Sequence, residues 1–430
     1  MLAKISAVMA GLGPGLLYAG AAVGVSHLVM STKAGANYEF LFLLLIPIIH
    51  LIKYPFYKFG PQYTALTGRS ILHGYFRLGR WALAIYMVMT ILSMCLIQSA
   101  VTIVTSSLAI HFFGLSISHD YLPHVPAVMT LLAAAAILYV GKYSLLDRVM
   151  KVIIIVLTLT TLTSLSMVLV NSVESSSQHN AFVFSLLEYS DLIFLAAFIG
   201  WMPAPMDVSV WHSVWSEEAN RSRGKCLPMR QVMLDFRIGY FGTALLAMAF
   251  LSLGALVMYG SGEAMSANGA TFAGQLVTLY TDTLGSWAYP VIGVAALATM
   301  FSTTLTCLDA YPRTLEESYF IWKGQGDYDC RKQSTKFVYR LCLTVAVLGT
   351  ISVFLLIKNV SGAMGFIVTV ATVVSFISAP VFAYLNYKVI HSEEINDTDK
   401  PGLWMKRWSY AGLSLMAIFS LVYLMLLVYR

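Results

Sequence analysis

What this sequence has little of is charge. Of its 430 residues only 11% are Asp, Glu, Lys or Arg, against 58% hydrophobic, and the mean hydropathy is +0.74. A water-soluble domain carries roughly a quarter charged residues. The scarcity therefore excludes a soluble globular fold and implies an integral membrane protein. Cysteine is sparse too: Cys95, Cys226, Cys307, Cys330 and Cys342 form no CxxC pair. On the topology given below none lies in an extracytoplasmic loop, so no disulfide framework is expected. There is no glycine-rich phosphate loop of the Walker type, which argues against ATP-driven work, and no metalloprotease or zinc-finger spacing. The opening GLGPGLL lacks the small-residue cleavage site of a signal peptide, so the first apolar segment reads as a retained span. Nothing supports soluble catalysis, and no enzyme or resident cofactor is expected.

What the sequence does have is long hydrophobic runs. A bilayer core takes about 20 apolar residues per helix. By that measure eleven segments are expected, near 10–32, 39–59, 82–113, 124–141, 147–170, 191–214, 232–259, 286–310, 337–357, 362–388 and 408–428. They alternate with polar loops, which predicts an all-α bundle and not a barrel. With the N-terminus placed in the cytoplasm, all of the 27 Lys and Arg residues except Lys33, Lys358 and Arg430 fall on the cytoplasmic side, Lys53 and Lys58 among them. The loops near 114–123, 171–190 and 260–285 hold no Lys or Arg. The net charge of +6 is thus a matter of topology and calls for no nucleic acid. The lipid bilayer and a small ion or solute are the partners expected; no protein partner is evident. Short loops without a targeting signal give the chain a bacterial look, with an inner-membrane location expected.

Two of the segments are interrupted. Segment one is broken at Gly24-Val25-Ser26-His27, and segment six at Gly200-Trp201-Met202-Pro203-Ala204-Pro205-Met206-Asp207. Pro203 and Pro205 remove amide donors and clash with the preceding turn. The breaks are five segments apart. Two five-helix repeats, at 10–170 and 191–388, would each begin on a broken helix. An odd repeat of five inverts the second copy, and 408–428 is left as an extra helix. Broken helices that meet near the midplane of an inverted repeat are a pattern of membrane transporters. Backbone freed at that depth must line a cavity or lie within protein.

Several motifs carry a resemblance. Gly13-Pro14-Gly15, followed about twenty residues later by Ala34-Gly35-Ala36, resembles the start of the NRAMP (natural resistance-associated macrophage protein) divalent-metal transporters, which read GPG…DPGN…AGA over the same interval. Thr67-Gly68-Arg69, Leu146-Asp147-Arg148-Val149, His212-Ser213 and Met300-Phe301-Ser302-Thr303-Thr304 resemble further motifs of that family, namely TGR, LEKV, HS and GQSST. The likeness covers most of the chain. It implies a LeuT-type fold, with a 5+5 inverted repeat and broken helices 1 and 6, and it implies secondary active transport. The departures fall on the chemistry. Gly24 stands where the family has its ligand Asp, and His27 where it has its ligand Asn. The family's MPHN aligns with segment six in two registers, one on Met202-Pro203 and one that puts Asp207 at the first His and Met206 at the Pro. The family's acidic positions in segment three fall on Gln98 and Val101, and its segment-ten Gln falls on Ser378.

An ionisable side chain at membrane depth is a functional candidate by default. Asp207 follows the double-proline break and reads either as a site carboxylate or as the cap of the next half-helix. His27 reads either as a metal ligand or as a hydrogen-bonded packing group. Met202 and Met206 offer soft sulfur or simply fill the core. The expected substrate site is Gly24, Ser26, His27, Met202, Met206, Asp207 and Ser378, with His27, Asp207 and Met206 as metal ligands. Ser302, Thr303 and Thr304 lie where LeuT-type folds often hold sodium between helices one and eight. They read equally as hydroxyls bonded back to their own helix. Asp309 reads as an ion relay or as the partner of Arg313. Three functions remain open: transport of a divalent metal of the Mn or Fe type through a remodelled site, sodium- or proton-coupled transport of a small organic solute, and a sensor that transports nothing.

Overall fold

The computed structural model describes residues 13–115, 124–140, 143–171, 184–259, 266, 269–324, 335–357 and 363–428. The described residues are helical with no strand. Helix α1 (Pro14–Ala22) leads into a π-helical stretch (Val25–Ser31) and then α2 (Thr32–Tyr38). There follow α3 (Leu45–Thr67), α4 (Ile71–Leu78), α5 (Arg80–Phe112), α6 (Val125–Val140) and α7 (Tyr143–Asn171). Segment six forms α8 (Tyr189–Trp201) and α9 (Val208–Arg223), and α10 (Met229–Val257) follows. The remainder is α11 (Gly269–Leu284), α12 (Ala288–Trp322), α13 (Thr335–Leu356), α14 (Ala363–Ile390) and α15 (Leu403–Val428).

The expected hydrophobic segments fall on helices where the structure describes them. Among the described residues, seven helices are long and apolar enough to cross a membrane, and three shorter apolar helices accompany them. The stretch 260–285, expected to be loop, contributes helix α11. Lipid-side faces explain the exposed apolar side chains of α15, such as Leu415, Ile418 and Leu421.

The motifs turn out to be junctions. Gly13 and Gly15 donate backbone N–H bonds to the two carboxylate oxygens of Asp235, at 3.2 and 2.7 Å. Pro14 needs no donor partner at that position. Asp235, on α10, thus holds the positive end of α1 with a buried negative charge; the GPG motif is a capped helix start. Gly35 and Gly254 let α2 and α10 approach backbone to backbone, since a side chain on either would run into Leu251 or Thr32 main-chain atoms. Gly68, at φ 73°, closes α3 in the left-handed conformation, which accounts for the TGR motif. The side chains of Asp147 and Arg148 lie outside the described residues.

Candidate cation site at the helix breaks

Segment one breaks because Gly24 has no side chain and the chain widens into π-helix over Val25–Ser31. Wide turns of this kind are frequent at functional sites. Gly24 lies against α12: a β-carbon there would come within 2.7 Å of Thr303 Cγ2 and 2.8 Å of its Oγ1. Thr303 in turn donates a hydrogen bond to the Gly20 carbonyl at 3.0 Å. Segments one and eight therefore meet, as the hydroxyl pattern leads one to expect. Ser302 bonds back to the Thr299 carbonyl at 2.8 Å. Thr304 shares a 2.8 Å bond with Thr105 of α5.

Segment six breaks at the prolines. Met202 leaves α8 in an extended conformation, the form that a following proline imposes. From there to Asp207 the backbone is unwound and buried. Most of its carbonyls are nevertheless hydrogen-bonded. The Lys53 ammonium takes Met202 at 2.8 Å, together with Ile199 at 2.6 Å and Gly200 at 3.2 Å in the last turn of α8. Ser26 reaches Pro203 at 3.5 Å. The Tyr57 hydroxyl donates to Pro205 at 2.9 Å and bonds Ala204 as well. The Ser209 hydroxyl donates to Met206 at 2.7 Å, and the Val210 amide to Asp207 at 2.9 Å. Asn386 of α14 braces the same region, donating to the Ser209 hydroxyl at 2.7 Å and to the Phe56 carbonyl at 3.0 Å.

The orphan is the Asp207 side chain. It is buried, and neither carboxylate oxygen has a formed hydrogen bond among the described residues. It occupies the cap position of α9, facing the backbone amides of Asp207 and Val208 without completing a cap bond. Around it stand aromatic groups. The hydroxyls of Tyr57, Tyr75, Tyr86 and Tyr311 and the thiol of Cys307 are all within electrostatic reach of the carboxylate. Of these the Tyr311 hydroxyl faces the carboxylate most directly, short of the geometry of a completed bond. Trp211 packs edge-on against Tyr311 with ring centroids 4.8 Å apart. The Tyr311 and Tyr86 hydroxyls and the Trp211 indole N–H are themselves buried without completed bonds. Burying such groups unpaired costs about 1–3 kcal/mol apiece.

His27 is placed differently. Its Nε2–H donates to the Thr243 carbonyl at 3.1 Å, and its Nδ1 lies 2.7 Å from the Ser26 hydroxyl. The Nε2–H bond ties the π-helical stretch to α10, and Nδ1 faces a hydroxyl that also lies 2.7 Å from the Ala22 carbonyl. Met202 and Met206 are both buried. Ser378 bonds back to the Ser375 carbonyl at 3.1 Å, while Ser375 receives the indole N–H of Trp201 at 2.7 Å. Gln98 donates to Thr102 and to the Thr304 carbonyl, at 3.1 and 3.3 Å. Asp309 accepts two bonds from Arg313, at 2.9 and 2.7 Å, and a third from Tyr339 at 3.0 Å. Of its two readings, the geometry is that of the ion pair.

Sequence reasoning misses Lys53, Tyr57 and Asn386, and it reads Asp235 near the start of segment seven as interfacial, where the structure buries it against Gly13 and Gly15. A signal for Lys53 exists: it lies inside a stretch counted as a span, where an ionisable residue signals function, and its grouping with the cytoplasmic charges hides it. Lys53 is in fact buried in mid-helix. A separate buried group, His73, Glu217 and Glu317, gathers three potential ligand atoms within 4.8 Å of one another. Glu217 already accepts the Ser70 amide at 2.6 Å and pairs with Arg221, and Glu317 accepts the Ser70 hydroxyl, so this group reads as a brace between α4, α9 and α12.

Comparison with known proteins places this geometry. A protein of Pasteurella multocida, described as uncharacterized, is 34% identical over 418 residues, which cover 96% of this chain and 92% of that one. A manganese transporter of Eremococcus coleocola, solved as a mutant, superposes with a TM-score of 0.70 at 14% identity over 95% of this chain and 85% of that one. Mhp1, a nucleobase-cation-symport-1 family transporter, gives 0.60 at 15% identity over 97% and 91%. MhsT in complex with L-phenylalanine gives 0.57 at 16% over 96% and 97%. These likenesses establish the LeuT-type fold. The natural resistance-associated macrophage protein-like family matches residues 15–427, and with that match the chain belongs to this family of membrane transporters, which are not enzymes.

Proposed function

We propose that this protein is a secondary active transporter that carries a divalent metal ion of the manganese or iron type through a site remodelled around Asp207. The observation that carries the reading is the Asp207 carboxylate, buried at the break in segment six with neither oxygen in a completed hydrogen bond. A charge in that position is costly until a cation meets it. Family membership favours a metal as that cation. Asp207 with the Met206 thioether offers one hard and one soft donor, a mixture suited to borderline divalent ions. With the neighbouring carbonyls already bonded, water brought in with the ion completes its shell.

The aromatic lining supports a second reading, in which the guest is a small organic cation. Carboxylate plus Tyr and Trp faces is a recognised chemistry for ammonium groups. Thermal unfolding of the purified full chain, titrated with MnCl₂ or with alkylammonium chlorides, separates the two. Stabilisation by Mn²⁺ at micromolar concentration, abolished in Asp207→Asn, is expected. Stabilisation by the organic cations with no response to Mn²⁺ would replace the metal reading.

A further inference from the structure

Lys53 is the only Lys or Arg, among the described residues, recorded with its ammonium or guanidinium on backbone carbonyls of a helix break. It comes from the middle of α3 and is among the largest fully buried side chains. Its three N–H bonds go to Ile199, Gly200 and Met202, at 2.6, 3.2 and 2.8 Å. No carboxylate lies within ion-pairing distance of Lys53 among the described residues. The three carbonyls form the C-terminal end of half-helix α8, where the helix dipole concentrates partial negative charge. Three donors on three acceptors exhaust the bonding capacity of an ammonium.

An unwound half-helix end of this kind is a cation site by its own physics. In broken-helix transporters such carbonyls coordinate ions taken from solution. Here the position is filled by a cation that the chain brings with it. We propose that Lys53 is a tethered cation, which occupies the carbonyl end of segment six permanently and so removes those carbonyls from the set that can bind cargo. Two consequences follow. The break needs no dissociable ion to stay ordered. Also, the break carries the Lys53 ammonium at its α8 end and the Asp207 carboxylate at its α9 end, so a cargo cation is expected at the α9 end. The inference concerns the chain's own groups and holds whichever cargo Asp207 binds.

The alternative is that Lys53 acts only through its bulk and its stem, a packing role. Chemical replacement distinguishes the two. Lys53→Ala leaves a void ending at the three carbonyls. Propylammonium supplies the missing N–H donors there, whereas tetramethylammonium has the charge without donors. We expect the purified Lys53→Ala protein to unfold several degrees below wild type and to regain most of that loss in millimolar propylammonium, with no gain from tetramethylammonium and no response of wild type to either. Lys53→Met, which keeps the volume and loses the charge, is expected to be less stable than wild type, or not to fold, because three buried carbonyls lose their donor. Wild-type stability in Lys53→Met, or a Lys53→Ala protein that responds to both amines equally or to neither, would overturn the proposal. No metal enters these measurements, so a failure of Mn²⁺ to bind wild type would sink the metal reading and leave this result to stand or fall by itself.

Discussion

Thr303 fills the space into which a side chain at Gly24 would grow. The β-carbon of any other residue at 24 would fall 2.7 Å from the threonine methyl. The position that holds a ligand Asp in the NRAMP motif is thus sterically closed, and the loss of the acid is built into the packing of α12 as well as into the sequence of segment one. We expect Gly24→Asp not to create a metal site. Gly24→Ala alone is expected to cost about 1–3 kcal/mol, the usual penalty of overpacking, and Thr303→Ser to relieve part of it. Thermal unfolding of the two single variants and the double variant gives the coupling; independent, additive effects would contradict the contact.

Asp207 is expected to trade stability for function. Replacing it by Asn removes a buried carboxyl group that has no completed hydrogen bond, which should leave stability unchanged or raise it by about 1–3 kcal/mol, while cation binding is lost. Denaturation of the purified protein checks the first half. A marked destabilisation in Asp207→Asn would mean that the carboxylate has a structural partner.

Asp309 is expected to behave as the opposite case. With Arg313 bound bidentately and Tyr339 attached, Asp309→Asn leaves a half-buried guanidinium without its partner and should cost about 2–3 kcal/mol. Were Asp309 an ion relay, the substitution would leave stability intact and change the ion dependence of transport. Measuring both quantities on the same preparation decides between the two.

Asp235 should matter for the start of segment one although it lies on α10. Asp235→Ala frees the amides of Gly13 and Gly15 and removes the charge at the helix terminus, for about 1–3 kcal/mol. Hydrogen exchange should report the loss as faster exchange at the start of α1; exchange unchanged there would show that the cap is dispensable.

The hydrophobic segments and the two breaks were legible in the sequence because lipid leaves few alternatives. A span must be about 20 apolar residues, and two prolines within three residues, Pro203 and Pro205, remove two amide donors and clash with the preceding turn. The identity of the groups that repair the breaks was not legible. Lys53 reaches carbonyls 146 to 149 residues away, and Asp235 reaches amides 220 and 222 residues away. Such pairings leave no periodic trace along the chain. His27 shows the limit from the other side. A histidine in a break has the composition of a ligand, and only the positions of Thr243 and Ser26 show that its ring also ties segment one to α10. Asp207 stands out in the sequence because its type is wrong for its depth, a signal that survives without knowing its neighbours.

The central claim is that Asp207 receives a cation that crosses the membrane. Uptake of Mn²⁺ into proteoliposomes containing the purified full chain and a metal-quenched dye tests it most directly, with Asp207→Asn run beside wild type. The account predicts quenching with wild type and none with the variant, both proteins being folded by thermal unfolding. Equal quenching with both, or none with folded wild type, would contradict it.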